Sequence, residues 1–418
     1  MIMNKEEALK FIHGTEKFGS VLGLESIERL CAELGHPEEG QKFIHIAGTN
    51  GKGSVASALA AILTHAGFKT GLYTSPALID FSERIKVNLA PIGDDDLAEN
   101  AEEVRSACER IVKKGFFHPT EFELVTAIGL LQFKKEKCDY VVFEVGLGGR
   151  LDATNVIKDP ELCIITSLSL DHTDRLGDTV EKIAGEKCGI IKGDVNVLTT
   201  ENQPAGAMGV IRKSAKNLSV VPVPEIKKET LDGIVFDADN IGDIFFPLTG
   251  EQQAENASLA IRAAKMLGVS DEDIKEGIKK THHPARMQKL SADPLVILDG
   301  AHNPSAMAHL ERNLKVLLPE GKRTLIIGML KDKDFEASAK LIAPLFDEIV
   351  TVDIDSPRAL PKEELAKVMA KYCPKVCPMA LKDAYNMIEK GKTYVVAGSL
   401  YMAGEFLDLN AKYHKVHL

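Results

Sequence analysis

His45-Ile46-Ala47-Gly48-Thr49-Asn50-Gly51-Lys52-Gly53-Ser54 follows a short apolar run and opens a segment in which Val55, Ala58, Leu59, Ile62, Leu63 and Ala66 recur at helical spacing before Gly67. It reads as a phosphate-binding loop. Glycines let the backbone curl so that successive N–H groups face an anion, Lys52 adds a point charge, and the new helix offers its unsatisfied first-turn donors. The spacing departs from the common string, because Ile46 stands where the first glycine belongs and Gly53 separates Lys52 from Ser54. That disfavours switch GTPases and ordinary kinases and leaves a nucleotide triphosphate as the natural guest. The bland reading of the same residues is a glycine-rich strand-to-helix turn.

Farther along the chain, Val/Ile-rich runs alternate with amphipathic stretches, at Tyr140 to Val145, Cys163 to Ser167, Val195 to Thr199, Leu295 to Leu298, Thr324 to Ile327 and Tyr394 to Ala397. This is the pattern of parallel α/β layers. Between Val220 and Phe246, prolines and Asp-Gly or Asp-Asn turns punctuate short alternating runs, which predicts a small antiparallel appendage. Pro284 interrupts a helical pattern, so Thr281 to Arg286 reads as a linker. The expected domains are therefore 1–290 and 291–418.

The 418 residues carry a net charge of −10 without a long Lys/Arg cluster, which argues against a nucleic-acid partner. Seven cysteines, scattered through apolar and helical contexts, read as reduced thiols of a cytoplasmic protein. Cys373 and Cys377 form the one close pair, each before a proline, and read as a surface loop rather than half a zinc site. Neither a leader-like segment nor an apolar run of membrane-spanning length is present in the sequence, so a soluble enzyme with no membrane partner is expected.

Several polar residues then stand where apolar strands end. Glu144 closes Tyr140-Val141-Val142-Phe143 and precedes Gly146-Leu147-Gly148-Gly149-Arg150-Leu151-Asp152; beside a phosphate loop it is placed to hold the Mg²⁺ that accompanies a nucleotide, or else to pair with Arg150. His172, in Ser169-Leu170-Asp171-His172-Thr173, is either a metal or phosphate ligand or an ordinary loop histidine. Lys187 lies among small and apolar residues and is either a partly desolvated, reactive amine or a solvated helix charge. In the second half, Asp299 is placed to accept ribose hydroxyls and His302 and Arg286 to meet phosphate. The competing reading is a helix N-cap at Asn303 or Ser305 with a surface histidine.

Taken together, these segments resemble the folylpolyglutamate synthases, often bifunctional with dihydrofolate synthase, of the Mur ligase superfamily. The match keeps the family's order over nearly the whole chain, through Leu22-Gly23-Leu24-Glu25, His45 to Ser54, Thr74-Ser75-Pro76, Glu83-Arg84-Ile85 and Thr120-Glu121-Phe122-Glu123. It continues through Glu144 to Asn155, Leu170 to Thr173, Gly185-Glu186-Lys187, Gly250 to Asn256, Pro284-Ala285-Arg286 and Asp299 to Pro304. Ala285 and Met287 flank Arg286 where the family frequently has Gly and Phe.

The resemblance implies an α/β fold: a P-loop Mur-ligase central domain, a smaller Rossmann-like C-terminal domain, and catalysis in the cleft between them. It implies ATP contacts at Gly48, Thr49, Asn50, Gly51, Lys52, Gly53 and Ser54, completed by Asn256, Arg286, Asp299 and His302. Two Mg²⁺ are implied, one on Ser75 and Glu144 and another helped by His172. Lys187 matches a lysine that is carbamylated in the superfamily. Segments resembling the folate site are Leu22, Gly23 and Leu24, then Thr120, Glu121 and Phe122, then Leu151, Asp152 and Ala153. The implied reaction joins L-glutamate to a folate or to dihydropteroate through an acyl phosphate, with Lys52, Lys187 and His172 at the chemistry, in a monomeric cytoplasmic enzyme. Muramyl ligases carry a UDP-substrate domain ahead of the loop, where only 44 residues precede His45 here. The alternatives of another class are a regulatory P-loop NTPase without ligase activity and a nicotinamide-dependent dehydrogenase built on Gly146 to Gly149.

Overall fold

A computed structural model of the chain describes residues 3–15 and 23–413. They form two compact units: one holds the residues through Val223 together with Asn256–Lys280, the other Pro224–Glu255 together with the residues from Thr281 onward.

The first unit is built on eight strands: β1 (Phe43–Ala47), β2 (Thr70–Tyr73), β3 (Ile85–Val87), β4 (Ala90–Pro91), β5 (Tyr140–Glu144), β6 (Leu162–Ile165), β7 (Asn196–Thr200) and β8 (Asn217–Val221). Their order is β4-β3-β2-β5-β1-β6-β7-β8, parallel from β2 to β8, with β3 and β4 antiparallel at one edge. Every residue of β1, β2 and β6 is buried, because helices cover both faces; apolar side chains therefore run continuously instead of alternating. Phe143 packs between Phe43 and Tyr73, with ring centroids 5.3 and 4.8 Å away. Another cluster gathers Ala47, Val145, Cys163, Ile165 and Val197. The chain leaves β1 toward β2 on one side, and β5 crosses over to β6 on the other, so the carboxyl ends of these strands share the edge where such folds place ligands.

The helix expected after the phosphate loop spans Lys52–His65 and is buried from Gly53 to Leu63. Its alanines allow close packing. At Gly277, on the helix Asp271–Ile278, an added Cβ would press on the Ile62 backbone.

In the second unit, β9 (Ile226–Thr230), β10 (Gly233–Ala238) and β11 (Ile241–Phe246) form the expected antiparallel appendage, in order β11-β10-β9. A six-stranded sheet follows, with β12 (Gln288–Ala292), β13 (Leu295–Leu298), β14 (Arg323–Ile327), β15 (Glu348–Val352), β16 (Val376–Met379) and β17 (Thr393–Ala397) in order β12-β13-β17-β14-β15-β16. All pairs but β12–β13 are parallel. The appendage is fastened here: Arg312 Nη1 donates to both Glu229 oxygens at 2.5 and 2.7 Å, and Lys289 pairs with Asp232. The division expected near residue 290 falls within β12, whereas the second unit takes Pro224–Glu255 out of the expected first domain and resumes at Thr281. Cys377 lies in edge strand β16 rather than in the loop expected from the two prolines, and Cys373 is buried, with its thiol donating to the Phe346 carbonyl at 3.4 Å. Pro378 is tolerated there because an edge strand leaves one row of its N–H groups unpaired. None of the described helices is long and apolar enough to cross a membrane.

Candidate functional site

The loop after β1 is moored to the exit of β6. Thr49 N–H and Asn50 N–H both donate to the Ser167 carbonyl, at 2.9 and 3.3 Å, and Thr49 Oγ1 donates to the Ser169 carbonyl at 3.0 Å. Thr166 Oγ1 donates to the Asn50 carbonyl at 2.7 Å and fills the space a Cβ on Gly48 would need. These bonds direct two loop amides inward. The donors left for an anion are those of the first helical turn, Gly51 to Ser54, which have no intrahelical acceptor. Gly51 has φ +86°, and a Cβ there would strike the Asn256 side-chain amide, so Asn256 borders the loop as expected. Gly48→Ala should therefore cost about 1–3 kcal/mol through overpacking. A urea melt would read that loss, alongside weakened nucleotide binding by calorimetry; unchanged values for both would show that the loop tolerates the methyl.

Two amines meet at the same carbonyl. Lys52 Nζ donates to Gly48 O at 3.1 Å and to Thr49 O at 3.3 Å, and Lys187 Nζ donates to Gly48 O at 2.8 Å. Lys187 is only 5% exposed. Burial, then the nearby Lys52 charge, push its amine down to about 7, against a smaller opposing pull from Asp171 and Asp152. Of its two readings, the desolvated amine is the one the fold produces.

Glu144 is buried at the end of β5, and its Oε2 accepts the Ser75 N–H at 3.2 Å, so the two expected metal residues are neighbours. Ser54 Oγ, in the first turn of the P-loop helix, is buried without a hydrogen-bond partner. A serine hydroxyl and a carboxylate are hard oxygen donors of the kind Mg²⁺ prefers, and the orphaned Ser54 hydroxyl in the phosphate loop suits the same ion. His172 adopts φ +50° and caps the short helix Thr173–Leu176. Its Nε2 lies 3.9 Å from Asp171 Oδ1, and its side chain is 37% exposed. Asp171 belongs beside His172 and Lys187, though the sequence reading singled out only the histidine.

The residues expected at the folate site divide by what holds them. Leu22 lies outside the described residues. Gly23 has φ +145°, a backbone conformation favouring glycine, and Leu24 precedes the helix Glu25–Glu33. Thr120 caps the helix Glu121–Lys135 in a capping box with Glu123, whose Oε2 accepts Thr120 N–H at 2.7 Å and Oγ1–H at 2.8 Å. Glu121 Oε1 is 3.4 Å from His13 Nδ1. Phe122 abuts Gly146, where a Cβ would meet its ring, and the Arg84 guanidinium stands 5.7 Å from that ring's centre. Arg84 Nε is buried without a partner, which marks a cation that sequence reading treated only as part of a motif.

Asp152 organises its own loop: Oδ2 accepts Leu147 N–H at 2.8 Å, and Oδ1 accepts Thr154 N–H at 3.0 Å and its hydroxyl at 2.5 Å. Because that hydroxyl proton is committed, buried His45 must be the donor across the 3.0 Å contact from Nε2 to Thr154 Oγ1. Burial holds His45 down at about 3, hence neutral. Ala153 is buried beside Asp152, while Leu151 is exposed.

Within the second unit, Asp299 ends β13 and is buried. Its Oδ2 accepts Met287 N–H at 2.7 Å and its Oδ1 accepts Ala301 N–H at 2.8 Å. Burial raises its carboxyl despite opposition from Arg286 and these amides. Arg286 sits between Ala285 and Met287 at φ +55° and +46°, in the left-handed region that favours glycine. His302 Nδ1 faces the Gly300 carbonyl at 2.8 Å, and Asn303 caps the helix Pro304–Leu317. The helix cap weighed against an Asp299 ligand is thus Asn303, and it leaves Asp299 free to brace the Arg286 turn.

Comparison with known proteins places this arrangement in a family. The Mur ligase middle domain matches residues 46–264, and the Mur ligase glutamate ligase domain matches residues 285–400. The dihydrofolate synthase/folylpolyglutamate synthase of Bacillus subtilis is 34% identical, covering 96% of this chain and 97% of that one. Mycobacterium tuberculosis folylpolyglutamate synthase complexed with ADP superposes with a TM-score of 0.89 at 29% identity, over 97% of this chain and 99% of that one. Escherichia coli FolC in complex with DHPP and ADP gives a TM-score of 0.87 at 28% identity, over 99% of each chain. This chain belongs to the folylpolyglutamate synthase/dihydrofolate synthase family of Mur ligases.

Proposed function

We propose that this ATP-dependent ligase joins the amine of L-glutamate to the carboxylate of a folate-class pterin, a reduced folate or dihydropteroate. A carboxylate is a poor acyl donor, so one of its oxygens first attacks the γ-phosphorus of ATP, ADP leaves, and an acyl phosphate forms. The glutamate amine then attacks the acyl carbon, phosphate departs, and a proton is released. The observation that supports the reading is the Lys52 ammonium resting on the Gly48 and Thr49 carbonyls at the start of a helix with free first-turn donors, an arrangement suited to offsetting charge during phosphoryl transfer.

In this reading Gly51 to Ser54 and Lys52 hold the phosphates, with Gly48, Thr49 and Asn50 shaping the loop around them. Asn256, Arg286, Asp299 and His302 contribute nucleotide contacts. Ser75, Glu144 and His172 hold two Mg²⁺, which neutralise phosphate charge when bound. Lys187 carries CO₂ as a carbamate, turning a cation into a carboxylate-like group; a neutral amine is what attacks CO₂, and the depressed Lys187 supports that step. Gly23, Leu24, Phe122, Leu151 and Ala153 line the pterin, with Thr120, Glu121 and Asp152 bracing their backbone. The enzyme acts in the cytoplasm, a reading supported by the free state of its cysteines, and as a monomer.

The test is phosphate release from Mg-ATP with L-glutamate present or absent, offering dihydropteroate and tetrahydrofolate separately, with products weighed by mass spectrometry. Release requiring both glutamate and a pterin, with one glutamyl mass gained, is expected. Release indifferent to both would overturn the proposal.

A further inference from the structure

β1 is apolar except at His45, and the phosphoryl-transfer chemistry gives that residue no task. Its side chain is fully buried, with its ring centre 6.2 Å from that of Phe143 in the aromatic layer beside the sheet. An apolar residue would fill this place at less cost. With Nε2–H committed to Thr154, Nδ1 carries a lone pair, and that atom is buried without a hydrogen-bond partner. A neutral imidazole kept at that disadvantage is explained by what its one bond holds.

That bond opens a chain of three. His45 Nε2–H donates to Thr154 Oγ1 at 3.0 Å, the Thr154 hydroxyl donates to Asp152 Oδ1 at 2.5 Å, and Asp152 Oδ2 accepts the Leu147 N–H at 2.8 Å. Imidazole, hydroxyl and carboxylate are all buried, where such bonds are not shared with solvent. The turn that the chain enters is also closed on itself: Asn155 N–H donates to the Asp152 carbonyl at 2.8 Å and Asn155 Nδ2 to the Arg150 carbonyl at 2.9 Å. Leu151 and Ala153 therefore ride on a turn that is fixed to β1 through His45. The phosphate loop leaves the same strand but is moored elsewhere, by the Thr49 and Asn50 amides on the Ser167 carbonyl and by Thr166 Oγ1 on the Asn50 carbonyl. Loss of the imidazole should reach one loop and spare the other.

We propose that His45 is a positioning residue for the pterin substrate, acting through Thr154 and Asp152 to hold the turn that bears Leu151 and Ala153. The inference rests on the pterin lying against that turn, as in the function proposed above.

The experiment compares full-length wild type with His45→Met, His45→Gln, Thr154→Val and Thr154→Ser. KM and kcat come from glutamate-dependent phosphate release, and deuterium uptake of segment 147–155 is read by mass spectrometry without ligands. Methionine fills the space without a donor, whereas glutamine carries an N–H₂ at the same remove from the backbone as Nε2. His45→Met and Thr154→Val should raise the pterin KM about threefold to tenfold, the worth of one hydrogen bond, and speed uptake in the segment. The KM for ATP should stay within about twofold, which a general loss of structure would not allow. His45→Gln and Thr154→Ser should return the pterin KM and the uptake toward wild type. Thr154→Val cuts the same chain, so it carries the test if His45→Met does not fold. Unchanged uptake, or pterin and ATP KM values that rise together without rescue by glutamine or serine, would overturn the role of His45. Faster uptake that glutamine rescues, with an unchanged pterin KM, would overturn it at a different point, by showing that the pterin does not lie on this turn.

Discussion

Lys52→Ala is expected to lower glutamate-dependent phosphate release about a hundredfold to a thousandfold, the range seen when one preorganised donor to developing charge is removed. The loop's amides at Thr49 and Asn50 are occupied by the Ser167 carbonyl, and the first-turn amides that remain carry only partial charge, so no other full cation in the loop replaces the lysine. Its ammonium already rests on the Gly48 and Thr49 carbonyls, which place it without fixing it to a carboxylate. That arrangement lets the charge turn to phosphate without first breaking an ion pair. The variant should still fold, because Lys52 is only half-buried at the helix start. The check is single-turnover formation of acyl phosphate, trapped with hydroxylamine, beside a nucleotide affinity measured separately. If affinity falls and the chemical step does not, Lys52 is a binding group alone.

Much of the first unit is legible locally. The loop announces itself through glycines before a helical period, and the strands through apolar runs that end in Glu144 or precede Asp171. What the sequence hides is long-range. Gly48 is glycine because of Thr166, far along the chain, and Gly51 because of Asn256, farther still. The attachment of the appendage to the C-terminal unit rests on Arg312 with Glu229 and Lys289 with Asp232, pairs that no periodicity discloses. Asp299 illustrates a different limit. A strand-end aspartate is equally consistent in sequence with binding a ligand, capping a helix or bracing a turn, and its acceptance of the Met287 and Ala301 amides is visible only in the fold. Arg84 escaped for the same reason: its position against Phe122 depends on a helix that begins 37 residues later.

The same long-range packing makes Lys187 the most consequential side chain to change. Lys187→Met should abolish ligation to within about a hundredth of normal, because the group proposed to carry the carbamate is gone while the apolar length of the side chain is kept. It should also stabilise the fold. Folded Lys187 titrates at about 7 and an ordinary lysine at 10.5, so between those values the unfolded chain binds the extra proton. Stability of the wild type contributed by this group therefore rises with pH across that window, by about 1.4 kcal/mol per unit, and is lowest below it. The methionine variant lacks that dependence. Its advantage in urea should be largest at neutral pH and shrink at that slope toward pH 10, in buffers freed of CO₂. Adding bicarbonate should then stabilise wild type and not the variant, since only a neutral amine at Lys187 reacts, and at a pKa near 7 roughly half is neutral at pH 7. A ¹³C-bicarbonate carbamate resonance in wild type that is missing in Lys187→Met ties the two effects to one nitrogen. A pH-independent stability difference would mean that the amine remains charged in the fold and that CO₂ has no nucleophile there.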